Sequence, residues 1–139
     1  MKALVLDASE TVSWCFEDET SPESETLLDL LKTTAIAVVP SIWRVEVANA
    51  LLMAERRKRI AAEATVAFLD VLLKLNVIAD SEGDETTWRR IVTLAREKGL
   101  TSYDASYLEL AIRMNVPIAT KDARLIKAAE ACGVPLFQA

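Results

Sequence analysis

The sequence contains no histidine, and its 139 residues include only two cysteines, Cys15 and Cys132. Without histidine there is no imidazole metal site, no Ser-His-Asp triad and no histidine general base. Two cysteines so far apart make neither a disulfide framework nor a zinc knuckle, and both are expected as reduced thiols in apolar surroundings. No apolar run approaches the length of a membrane span. The start does not read as a secretory signal, because Lys2 is followed only by Ala3-Leu4-Val5-Leu6 before Asp7 interrupts. Internal repeats, low-complexity tracts and linkers are also missing. A soluble cytoplasmic chain with no membrane association is expected. Its chemistry must come from carboxylates, hydroxyls, Lys, Arg, Tyr or a bound ion.

What is present favours one packed domain. Hydrophobic residues make up 52% and the mean hydropathy is +0.21, too apolar for intrinsic disorder. The length suits a single domain, residues 1–139, with a real core. Sixteen basic and 21 acidic residues give a net charge of −5. On totals alone this argues against binding a polyanion, although the distribution of charge matters more than its sum.

Along the chain, KALVLD (2–7), AIAVVP (35–40), NVIAD (76–80), PIAT (117–120) and VPLF (134–137) read as short strands, most of them continuous in apolar residues. Between them, helices are predicted from Ser9 to Phe16, from Pro22 to Lys32 behind a Ser21 cap, and from a Ser41 cap to about residue 59. Further helices are predicted over 61–75, 85–99, 102–115 and 121–133, with Gly99 and Gly133 as stops. The helices ending near 59 and 75 should form a hairpin. Short apolar strands alternating with helices predict an α/β fold: one parallel sheet with helices on both faces, in three layers.

In such a sheet, function gathers at the carboxyl ends of the strands. Asp7 stands there for the first strand, and Asp122 just after PIAT. Glu46 follows the second strand, on a helical stripe read as Ile42, Trp43, Asn49, Ala50 and Met53, with no capping role and no cation on its own face. A charged Glu facing a core is costly unless paired. Asp104 heads a stripe of Tyr107, Leu108 and Ala111. A very short link joins its helix to PIAT, so the two run antiparallel and Asp104 falls near Asp122. Four acids from distant segments are thus expected at one edge. Local capping is the alternative for three of them: Asp7 with Glu10, Thr101 with Asp104, and Asp122 as an N-cap.

Two carboxylates 4 Å apart repel by about 4 kcal/mol at an effective dielectric near 20. Several together must take up protons or hold a cation. With oxygen ligands alone, that ion should be Mg²⁺, or Mn²⁺ in its place, which suits hydrolysis of phosphate esters. Ser9, Asn49 and Thr120 are candidates to orient the ligands; ordinary capping and turn bonding is their alternative.

At these residues the sequence resembles the PIN-domain family, in particular the toxins of VapBC-type toxin–antitoxin pairs. D-x-S (Asp7, Ser9) is similar to its first motif and E-x-x-N (Glu46, Asn49) to its second. S-Y-D-A-S-Y-L-E-L-A (Asp104) resembles the third, and A-T-K-D-A-R-L (Thr120, Asp122) the fourth. The resemblance implies an endoribonuclease dependent on Mg²⁺ or Mn²⁺, cutting RNA by water attack on a phosphodiester. It also implies a homodimer silenced by a cognate antitoxin whose tail covers the acidic pocket. Basic residues are placed compatibly: Arg56, Arg57, Lys58 and Arg59 end one helix, Arg89 and Arg90 form a pair, and Lys121, Arg124 and Lys127 surround the fourth motif. Arg56, Arg57, Lys121 and Arg124 are the candidates for phosphate contact, a solvated helix end being the alternative for 56–59. Trp43 and Tyr103 are candidates for base stacking, with core packing the alternative for Trp43. Trp14 and Trp88 are assigned to core or dimer contacts.

Two rival readings remain. LVLDASET loosely resembles the haloacid-dehalogenase-type phosphatase motif D-x-D-x-T, with Asp7 as nucleophile, but Ser9 replaces the second Asp and Glu46 goes unexplained. A non-catalytic partner-binding domain would be marked by a lost acid, and none is lost.

Overall fold

The first strand sets the architecture. In a computed structural model, which describes residues 2–81 and 83–138, β1 (Lys2–Leu6) buries Leu4, Val5 and Leu6 completely. Successive strand side chains point to opposite faces, so full burial of all three means that both faces of the sheet are covered. β1 lies between β2 (Ala35–Val39) and β4 (Ile118–Ala119), and β3 (Val77–Ala79) flanks β2, giving the order β3-β2-β1-β4 with every pairing parallel. Val5 stands opposite Val38 on one side and Ile118 on the other.

The crossovers are helices: α1 (Ala8–Ser13) and α2 (Pro22–Leu31) after β1, α3 (Trp43–Arg56) and α4 (Ala62–Leu72) after β2, α5 (Glu85–Lys98) and α6 (Ser102–Met114) after β3, and α7 (Ala123–Ala131) after β4. Local chemistry fixes several ends. Ser21 accepts from the Ser24 amide ahead of Pro22, Asp84 accepts from the Thr87 amide, and Gly99 closes α5 in the left-handed region at φ 64°. α3 and α4 form the expected hairpin, joined where Thr65 Oγ1 donates to Glu55 Oε2 at 2.6 Å.

Two expectations are corrected. Ser41 does not cap α3: the helix begins at Trp43 after a turn in which the Trp43 amide donates to the Pro40 carbonyl, and Ile42 already has helical angles. The last strand shrinks to a single bridge between Ile118 and Leu136. Pro135 has no N–H to continue a ladder, so only the Phe137 amide and the Pro135 carbonyl pair with Ile118.

Two ion-pair groups escape local reading. Arg113 on α6 reaches Asp80 Oδ2 at 2.7 Å and Glu109 Oε1 at 3.0 Å, with Glu109 only 3% exposed. It ties the end of β3 to α6. Arg59, beyond α3, lies 4.1 Å over the Phe16 ring and pairs with Asp18 and Glu19. Cys15 and Cys132 are free thiols, partly buried against the core.

Candidate active site

The chain leaves the central strand at Asp7, which is 4% exposed. Its Oδ2 accepts two hydroxyls, Ser9 Oγ at 2.6 Å and Thr120 Oγ1 at 2.8 Å. Those hydroxyls are themselves held. Ser9 Oγ accepts from the Lys121 amide at 3.0 Å, and Thr120 Oγ1 accepts from the Asp122 amide at 3.1 Å. Asp7 makes no side-chain cap to α1, and Glu10 accepts from Ser24 Oγ instead, so the capping-box alternative fails for this pair. Burial pushes the Asp7 carboxyl up, the two hydroxyls pull it down, and the Asp122 charge adds to the rise.

Glu46 lies in the first turn of α3, where a carboxylate is favoured by the helix dipole. The buried stripe of that helix is Trp43, Val47, Leu51 and Ala54, not the one read through Asn49. Trp43 sets this rotation: it is 5% exposed and its Nε1 donates to Thr11 Oγ1 at 3.0 Å, which makes it packing and not a base platform. Glu46 stands beside the stripe, half-buried, and its Oε1 accepts the phenol of Tyr107 at 2.5 Å. It therefore has a structural partner on another helix. Tyr107, read from sequence only as part of an apolar stripe, is fully buried. The signal was available: a phenol on a core-facing stripe needs an acceptor.

Asp104 and Asp122 have local roles as well. The Asp104 amide donates to Thr101 Oγ1 at 3.1 Å, half of the predicted capping box. Asp122 caps α7, with Oδ1 accepting the Arg124 amide at 2.8 Å and the Leu125 amide at 3.4 Å. Capping thus accounts for one oxygen of Asp122.

The acids nevertheless feel one another. Burial is the main cause of a raised carboxyl at Glu46, and the charges of Asp7 and Asp104 add to it. Burial also raises Asp104, with Asp122 and Asp7 adding and Arg124 opposing. Four carboxylates from β1's end, α3, α6 and the start of α7 form one electrostatic neighbourhood at the carboxyl edge of the sheet. The donor set is oxygen alone and carries uncompensated like charge, which fits a hard cation. Among the described residues, however, no three acids stand within reach of a single ion. Ligation would need the carboxylates to close in by rotamer changes.

The remaining candidates divide. Ser9 and Thr120 bond Asp7 directly. Asn49 is exposed, and its side chain makes no hydrogen bond among the described residues. Arg56 and Arg57 are exposed at the far end of α3, about 15 Å along the helix from Glu46. Lys121, exposed, donates through Nζ to the Glu19 carbonyl, and exposed Arg124 is close enough for its charge to act on Asp104. Arg89 is paired with Glu85. Tyr103 and Trp88 are exposed, whereas Trp14 is half-buried and donates to the Ser24 carbonyl at 2.7 Å.

The PIN domain model matches residues 4–131 of the chain. No curated protein matches by sequence. Among solved structures, PAE2754 from Pyrobaculum aerophilum is 23% identical with a TM-score of 0.67, over 91% of this chain and 86% of that one. VapBC2 from Rickettsia felis, bound to a DNA fragment from their promoter, is 20% identical with a TM-score of 0.69, over 97% of each chain. FitAcB from Neisseria gonorrhoeae is 14% identical with a TM-score of 0.65, over 97% of this chain and 96% of that one. At these identities the structural likeness speaks for the fold.

Proposed function

The chain belongs to the PIN-domain family, and on that premise we propose that it is a Mg²⁺- or Mn²⁺-dependent endoribonuclease, the toxin of a toxin–antitoxin pair. The observation that carries the proposal is the neighbourhood of Asp7, Glu46, Asp104 and Asp122, three of whose carboxyls are raised by one another's charge as well as by burial. These four are the residues that would hold the ion. Bound there, it would polarise a water and offset charge on a phosphodiester.

The chain's own groups do the positioning. Ser9 and Thr120 hold the Asp7 carboxylate, and Tyr107 holds that of Glu46. In this reading Lys121 and Arg124 meet backbone phosphates of the RNA, offsetting an acidic whole. Arg56 and Arg57 lie farther off and would serve only a longer strand.

The partners in this reading are a cognate antitoxin that covers the acidic pocket and a second copy of the chain. Val66, Leu69 and Leu73 near α4 and Trp88 and Val92 on α5 are exposed apolar side chains that such partners could cover. Among the described residues no helix is long and apolar enough to cross a membrane, and the cytoplasm is the proposed site of action. The test is to sequence RNA ends after brief induction of the intact chain and of Asp7→Asn. New ends that appear only with the intact chain are expected; identical ends from both would overturn the proposal.

A further inference from the structure

Beside the acidic edge lies a cavity of about 620 Å³ that the carboxylate centre does not use. Thr120, which donates to Asp7, also lines this cavity, as does Lys121. Its apolar lining includes Ile126, Leu136 and Phe137, each partly exposed. Its polar wall is built on Glu10, one helical turn beyond Asp7 and 8% exposed, whose Oε1 accepts Ser24 Oγ at 3.2 Å; Ser24 is itself 1% exposed. The volume falls within the usual range for small-ligand pockets, and the lining mixes apolar side chains with polar ones that could orient a ligand.

Charge decides what kind of group enters. Glu10 and Glu23 border the cavity against a single ammonium, Lys121, so a phosphate is repelled and a group rich in N–H donors is favoured. Burial, with a smaller push from the Asp7 charge, raises the Glu10 carboxyl, while the nearby Lys121 charge and the Ser24 hydroxyl pull it down. An ionised carboxylate only accepts hydrogen bonds. Of the RNA bases, guanine alone offers two adjacent donors on its Watson–Crick edge, N1–H and the N2 amine. Adenine and cytosine set one amine beside an acceptor, and uracil sets one N–H between two carbonyls. Unstacked bases of single-stranded RNA are commonly read in this way, by an aromatic face and edge hydrogen bonds.

We propose that this cavity receives a guanine of the RNA, next to the bond that is cut, and that Glu10 reads its Watson–Crick edge. The inference rests on the nuclease reading above. It makes Glu10 a specificity-determining residue, separate from the four acids.

The test combines binding and cleavage. Short single-stranded RNAs carrying one guanosine, or inosine or adenosine in its place, are titrated by fluorescence anisotropy without divalent metal. The intact chain should bind the guanosine strand about tenfold or more tighter than the inosine strand, which lacks the N2 amine. Glu10→Gln should lose that discrimination, and sequenced ends should show guanosine beside the cut for the intact chain only. If Glu10→Gln misfolds by circular dichroism, Glu10→Asp, which keeps the charge but withdraws it, should weaken the preference. A chain that cleaves RNA without preferring guanosine, or a Glu10→Gln variant that keeps the preference, overturns the assignment of the cavity alone. Guanosine preference in binding without any cleavage overturns the nuclease reading and leaves the cavity standing.

Discussion

The phenol of Tyr107 donates to Glu46 Oε1 at 2.5 Å, joining α6 to α3 at the acidic edge. The bond favours the ionised carboxylate against burial and the charges of Asp7 and Asp104. Tyr107→Phe removes it with almost no change of shape. The expected loss is about 1–2 kcal/mol of stability by urea unfolding. The acid limb of the pH–rate profile should move to higher pH, because Glu46 then holds its proton longer. An unmoved limb would show that Glu46 ionisation does not govern activity.

Thr120 Oγ1 is shared between the Asp7 carboxylate and the Asp122 amide. Thr120→Val keeps the volume and removes the hydroxyl. Positioning partners of this kind are typically worth about 10- to 100-fold in activity or metal affinity. Cleavage of a labelled RNA should fall by that factor while the melting temperature shifts by only a few degrees.

Divalent metal should stabilise the fold. The acids repel one another only when the chain is folded, so an ion bound there favours the native state by mass action. A rise in melting temperature is expected with millimolar Mg²⁺ or Mn²⁺, read by differential scanning fluorimetry. The rise should shrink in Asp104→Asn. No shift with either ion would count against the four acids as ligands.

The same repulsion fixes the sign of a pH effect. Asp7, Glu46 and Asp104 are raised in the fold above ordinary values of 3.8, 4.5 and 3.8. Folding therefore favours their protonated forms. Their contribution to stability is fully present below those ordinary values and is lost as pH rises through the elevated ones. The metal-free chain should melt at a higher temperature just above those ordinary values than near neutral pH, and Mg²⁺ should narrow the gap. Asp7→Asn should narrow it too.

A further substitution separates scaffold from chemistry. Arg113 is the cation between Asp80 and nearly inaccessible Glu109. Arg113→Ala takes the guanidinium away from the buried Glu109 carboxylate and should cost about 3 kcal/mol or more. Activity per folded molecule, measured below the unfolding transition, should stay close to that of the intact chain.

How much of this is legible in the sequence follows the range of the interactions. Strand β1 and its terminal Asp7, the Ser21 cap and the Gly99 stop depend on residues a few positions apart, and they read correctly. The nearness of Asp104 to Asp122, past the end of β4, is also legible, because so short a link between α6 and β4 leaves only one direction for the chain. The rotation of α3 does not read, since Ile42, Trp43, Val45 and Val47 put apolar side chains on several sides and the period alone cannot choose among them. The bond between Trp43 and Thr11 chooses. That the Tyr107 phenol needs an acceptor is legible, but which acceptor is not, and the same holds for Arg113 and Asp80, because the partners lie 61 and 33 positions apart.

Asp7 and the Thr120 hydroxyl that steadies it are separated by 113 positions. A chain emerging from the ribosome presents its first acid at once but cannot complete the cluster until residue 120 has followed it out. Throughout most of its own synthesis, such a molecule carries the pieces of the centre without the centre itself, and on the proposed reading a nascent chain should be inert towards the RNA surrounding it.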